Sequence, residues 1–256
     1  MRSAALSLLL MSSTVLAALQ EAPKVTVGDK AVDGARLQPY VNQWGMHVTK
    51  PDGTDIPDAG LWKDQLEAVE FAGHQGWKRT QDATFKKQDG SIAGHNITIN
   101  IFDRSTMAPL YREFRSMRPG QPDKDVRITF SSVGLHIEST EAGKTASSDV
   151  KAGPAFDFDG GLYAVLWSAF PLKVGYTASF PSYSEGDNPG TVNWHGFKVL
   201  GTEDIQEKGM GTVKALVVEG DTESGPLKYW LITKPPFVLR MDYHPSNGTH
   251  WQLDRV

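Results

Sequence analysis

Residues 158 to 180, FDGGLYAVLWSAFPLKVGYTASF, interrupt a chain that otherwise alternates polar and apolar side chains, and they are its most apolar stretch beyond the first residues. Gly161 to Ala169 contains no proline. Leu162, Val165, Leu166 and Ala169 recur at helical spacing, with Tyr163, Trp167 and Phe170 beside them. Asp157 or Asp159 can accept from the free N–H groups of a first helical turn, and Pro171 ends the helix. Beyond it Val174, Tyr176, Ala178 and Phe180 alternate with Gly175, Thr177 and Ser179, as in a strand. A helix that is apolar nearly all round has to be covered on most sides. In a strand-rich chain the concave side of a strongly bent sheet provides that cover. The fold expected is mostly β (β-rich α+β): a curved antiparallel sheet or half-barrel with one short apolar helix on the concave side. The helix reads either as a plug of plain core or as a lid over an apolar cavity.

The rest of the chain carries strand signals. In HNITINIFD, Ile97, Ile99 and Ile101 face one way and Asn96, Thr98 and Asn100 the other, which suits a sheet with one wet face. LKYWLITK and PFVLRMDYH form a pair joined by Lys234-Pro235-Pro236. In the second, Phe237, Leu239, Met241 and Tyr243 share a face. PSNGTHWQL adds an Asn-Gly turn at Asn247-Gly248, a hairpin signal. RITFSSVGLHIES and GTVKALVVEG read as further strands. LWKDQLEAVEF fits a helix by composition, but with the following GHQGWKRTQDATF it reads as a hairpin. YVNQWGMHV reads as a strand, and KPDGTDIPDAG as a turn-rich loop.

Arg2 followed by the apolar run Leu6 to Leu16 and the small residues up to Ala17 reads as a cleaved signal peptide over residues 1–17, too short to cross a bilayer. The chain has no cysteine, which excludes disulfides, thiolate chemistry and a lipid anchor on Cys. An exported chain of this kind suits the periplasm or secretion. Residues 18–60 read as an extended, partly ordered lead-in, and 61–256 as a single β-rich domain. The formal charge of −4 is weak and unpatterned, so nucleic acid is not expected as a partner. No later segment is long and apolar enough for a membrane helix.

Asp103 to Pro109 (DRSTMAP), AFPLKVGY, VLGTEDI and GTVKALVVEGDTESGPLKYWLITKPPFVLRMDY follow one another in an order that resembles a group of exported bacterial domains of unknown function. That group is similar to the half-barrel outer-membrane lipoprotein carriers, curved antiparallel sheets with short helices over an apolar concave face. The resemblance spans roughly Leu61 to Val256. It implies binding of a lipid, an acyl chain or a lipid-modified protein, and it brings no catalytic residues.

Catalytic motifs are sparse. There is no H-E-x-x-H, no G-x-S-x-G elbow and no phosphate-binding glycine loop. DFDGG at Asp157 lacks the later ligands of a Ca²⁺ loop. Glu203-Asp204 and Glu219 with Asp221 lie at strand ends and turns, where solvated charge explains them. His244 and His250 flank a turn and can meet across a hairpin, with Asp242 and Asp254 near. Surface histidines at a loop are the simpler reading, so no metal or cofactor is expected. The function expected is non-enzymatic binding of an apolar ligand, with Leu162, Leu166, Trp167, Phe170, Tyr176, Trp230 and Phe237 lining the site. A hydrolase acting on cell-envelope polysaccharide and a structural or assembly partner remain alternatives.

Overall fold

A computed structural model describes residues 22–156, 162–184 and 190–256. The segment read as a signal peptide, the two aspartates read as helix caps and the middle of the Pro181–Gly190 loop lie outside these residues. One meander is formed by β1 (Tyr40–Thr49), β2 (Asp55–Phe71), β3 (His74–Lys86), β4 (Ile92–Asp103), β5 (Pro109–Met117), β6 (Lys124–Ser131), β7 (Gly134–Glu141) and β8 (Lys144–Lys151). A helix, α1 (Tyr163–Ser168), separates it from a second meander. That one comprises β9 (Thr177–Tyr183), β10 (Val192–Glu207), β11 (Gly211–Thr222), β12 (Gly225–Leu231), β13 (Val238–Tyr243) and β14 (His250–Arg255). All fourteen strands join one sheet, in the order β8-β7-β6-β5-β4-β3-β2-β1-β14-β13-β12-β11-β10-β9. The join is the antiparallel ladder of β1 with β14, from Trp44 opposite Arg255 to Thr49 opposite His250.

Local chemistry accounts for most of the turns. QLEAVEFAGHQGWKRTQDATF is a hairpin. Its tip is Ala72-Gly73, with φ of 48° and 81°, the positive pair that a tight turn between right-twisted strands requires. Asn247-Gly248 turns β13 into β14, and Pro235-Pro236, joined by a cis peptide, lies between β12 and β13. The expected loop KPDGTDIPDAG shrinks to a turn over residues 51–54, and β2 runs on from Asp55 across Gly60. Segment 40–60, read as part of a lead-in, thus contributes β1 and the start of β2 to the same sheet. Pro57 of β2 lies where the ladder with β1 slips, between Met46 and Val48, and an irregular ladder is where a strand tolerates proline.

One alternation reads differently in three dimensions. β4 does alternate, but its asparagine face is not the wet one. Asn100 lies opposite Arg79 and Phe102 opposite Trp77, so this face looks into the core, and Asn100 is only 3% exposed. Ile97 and Ile99 stay half-buried on the other face, across from Asp82 and Thr80. Arg79 and its partners make the concave face polar here, as described below.

The sheet is strongly curved and not closed, and α1 occupies its concave side. Tyr163, Ala164, Val165, Leu166 and Trp167 are all buried. Trp167 stacks on Phe197 of β10 at 5.1 Å and meets the edge of Tyr229 of β12 at 5.4 Å, while Tyr163 sits edge-on to Phe180 of β9 at 4.9 Å. Edge-to-face and offset pairs of this kind add roughly 0.5–1.5 kcal/mol beyond burial. Among the described residues no side chain caps the N-terminus at Leu162, and the helix ends at Ser168, ahead of Pro171, which cannot continue it.

The two ends of the sheet meet through side chains, without a ladder between β8 and β9. Phe130 of β6 packs on Tyr183 of β9 at 5.7 Å, within a small apolar cluster that includes Ile128, Leu135 and Ala155. The outer edge of β9 is covered by chain. Val25 N–H donates to Ser179 O, Ser179 N–H to Pro23 O, and Phe156 N–H to Pro181 O. β8 has no such hydrogen-bonded cover among the described residues, and its side chains are almost all exposed.

Candidate functional site

The concave side has three zones along the strands. The first is filled by α1. Of the residues expected to line a cavity, Leu162, Leu166, Trp167, Phe170 and Phe237 are buried together in the main core, with Tyr176 packed half-buried against them. Trp230 is placed apart from them. It lies on the opposite face of the sheet with Ile205, Ala215 and Leu239, donates to Glu203 Oε2 at 2.7 Å, and has the Arg240 guanidinium over its ring. Leu227, Tyr229 and Leu231 alternate into the core, so Trp230 between them faces the other way, while the slip of the ladder between Trp230 and Leu231 separates Leu239 from Met241 in the facing strand.

The second zone is a buried polar belt across β1 to β5, formed by Asn42, Asp64, Arg79, Gln81, Asn100 and Arg112. Its centre is a two-point ion pair. Arg79 Nε donates to Asp64 Oδ1 at 2.8 Å and Nη2 to Oδ2 at 2.9 Å, with both side chains at most 4% exposed. Tyr40 donates to the same carboxylate at 3.2 Å. Burial alone would lower the Arg79 pKa, but the charges of Asp64 and Tyr40 outweigh it and hold Arg79 above its ordinary value. Burial, reinforced by Asp64, pushes the Tyr40 hydroxyl well up, and burial also raises Tyr229 against the opposing effect of Arg79. Between this pair and Ala164 of α1 lies a space of about 10 Å³, bordered by Trp62 and Tyr229. That is room for about one water. The Trp62 indole N–H and the Asn100 amide, both buried, have no protein hydrogen-bond partner.

The third zone is open. A cleft of about 740 Å³ lies at the far ends of β1 to β4 and β14. Val48, Ile56, Ala59, Phe85 and Trp251 provide apolar surface, and the rings of Phe85 and Trp251 meet edge to face at 6.1 Å. Lys50, Lys86 and Arg118 are its charged lining residues, and among the described residues no carboxylate lines it. Arg118 is held over the Phe85 ring, donating to Asn96 Oδ1 at 2.9 Å and to Met117 O at 3.0 Å. Lys86 bridges to Asp58 at 2.5 Å. The cleft's volume lies within the range of small-molecule sites. Sequence reading did not single out these residues. The available signal was the inward alternation of β1, Trp44-Met46-Val48, continued across the turn.

The motif Asp103 to Pro109 proves to be a folded turn. Asp103 Oδ1 accepts from the N–H groups of Ser105 and Thr106 and from both of their hydroxyls. Burial raises the Asp103 pKa, but these hydrogen bonds outweigh it and hold the carboxyl below its ordinary value. Met107 follows with φ of 59° and is fully buried. No helix among the described residues is long and apolar enough to cross a membrane.

Neither a curated protein nor a solved structure matches the chain significantly. A family model described as a protein of unknown function, DUF3108, matches residues 74–248, from the start of β3 to the turn between β13 and β14. With most of its length covered by that match, the chain belongs to the DUF3108 family.

Proposed function

We propose that the protein binds an amphipathic ligand with an anionic head and an apolar tail, such as a fatty acid or lipid, in the open cleft, and that it does so in the periplasm or outside the cell. The observation that carries this reading is the lining of the cleft: apolar floor, aromatic corner and cations only, on a chain whose net charge is negative. The resemblance of its motifs to a group of exported domains that is similar in fold to the half-barrel lipoprotein carriers supports the same class of ligand. The helix region supplies rigidity to the concave side, and the cleft supplies the space.

The test is titration with the anionic apolar dye anilinonaphthalene sulfonate, followed by competition with palmitate. Wild type should bind saturably, and palmitate should displace the dye. Trp251→Ala should weaken binding roughly tenfold, the equivalent of losing about 1.4 kcal/mol of apolar contact. Arg118→Ala should weaken it and reduce its salt dependence. Absence of saturable binding by the folded wild type would sink the proposal.

A further inference from the structure

On the opposite face of the sheet from the core, the hairpin of β13 and β14 gathers three metal-ligating side chains that ligand binding in the cleft does not use. Asp242 pairs with Gln252 and Tyr243 with Trp251, so one step further out His244 comes opposite His250. Alternate residues of a strand share a face. Asp242 and His244 therefore lie on one face with His250 across from them, while Tyr243 and Trp251 pack toward the core. The two imidazoles stack, with ring centroids 4.2 Å apart and planes 5° from parallel. Both turn Nε2 to the same carboxylate: His244 Nε2 is 3.5 Å from Asp242 Oδ2, and His250 Nε2 bonds Asp242 Oδ1.

We infer that Asp242, His244 and His250 form a binding site for a divalent transition-metal ion of the Zn²⁺ class. One ligand atom from each lies within 4.8 Å of the others. Bonds of about 2.0–2.2 Å to one ion would draw them closer, a movement that partly exposed side chains can make. Two imidazoles and one carboxylate suit Zn²⁺, Ni²⁺ or Cu²⁺ and not Mg²⁺ or Ca²⁺, which take oxygen ligands. The cations beside the carboxylate do not compete for it. Lys228, opposite Asp242 in β12, is drawn to Glu219 at 3.2 Å. Arg240, two residues before Asp242, is held by Asp254 at 2.6 Å. The sequence signature is the D-x-H-x₅-H of DYHPSNGTH. Three protein ligands leave the remaining positions to water or to a donor from another molecule.

The experiment is calorimetric titration of tag-free protein with ZnCl₂ in a non-chelating buffer, with MgCl₂ as control, and NMR of the histidine ring nitrogens. One Zn²⁺ per chain should bind, and the ring resonances of His244 and His250 should shift before those of any other histidine. His250→Ala and His244→Ala should each abolish the saturable phase. His136→Ala, which removes a histidine paired with Asp149 elsewhere in the sheet, should leave it unchanged. Melting curves check that the variants are folded. Zn²⁺ binding that survives in folded His250→Ala, or that is absent in wild type, overturns the assignment.

Discussion

At the scale of single residues, the ion pair at the centre of the buried polar belt is sensitive to the loss of either partner. A buried ion pair contributes little net stability compared with well-packed apolar residues, but removing one partner strands the other charge at a cost of about 3–5 kcal/mol. Asp64→Ala should therefore lower stability by about that amount in denaturant unfolding, because the buried Arg79 guanidinium, which stays protonated in proteins, loses its carboxylate. A loss below about 1 kcal/mol would mean that water reaches Arg79. A surface residue shows the opposite regime. His136 of β7 faces Asp149 of β8, and the hydrogen bond to Asp149 raises its pKa above the ordinary value, against the opposing effect of desolvation. Since the folded value is the higher one, the contribution is fully present below the unfolded pKa of about 6.5 and is lost as pH rises through the folded value. NMR titration should show the His136 midpoint falling in Asp149→Asn, and equal midpoints in the two proteins would contradict the pairing.

At the scale of elements, α1 is held by what lies beneath it rather than by its own ends. So short a helix is marginal in isolation, and this one has no side-chain cap among the described residues. Its anchor is the Trp167 ring, which lands on Gly220 of β11. A Cβ there would come within 2.7 Å of the ring and of Gly196 O. Gly220→Ala should therefore cost about 1–3 kcal/mol, the range for overpacking a filled core. Unchanged thermal stability of that variant would mean that the helix rides further from the sheet. The helix, its end before Pro171 and the hairpin through Gly73 were legible in local pattern, because apolar spacing and turn residues act over a few positions. The alternation of Leu227, Tyr229 and Leu231 already turns Trp230 outward, whereas the parting of Leu239 from Met241 was not legible, because it depends on a slip of the ladder between β12 and β13.

At the scale of the whole molecule, the two edges of the sheet are treated differently. β9 is covered by residues 23–25 and by Phe156, while β8 ends the sheet with a polar, exposed strand flanked by Lys144 and Lys151. Charged, polar edges resist pairing with another chain. Hydrogen exchange should be fastest at the outward amides of β8 and slowest in β1 to β3, which carry the centre of the buried polar belt and have a paired strand on both sides. Protection of β8 equal to that of β2 would show that a second copy pairs with it. The candidate cleft draws on β1, β2, β3, β4, the residue after β5 and the last hairpin, which no local pattern brings together. Alternation and turn residues in the sequence alone determined that the chain is a curved antiparallel sheet around one short apolar helix, because each strand and turn is specified over a few neighbouring residues. Only the tertiary structure decided that the helix fills its end of the sheet, that Asn100 faces inward and that the open space lies elsewhere, because those outcomes depend on register and curvature summed over fourteen strands.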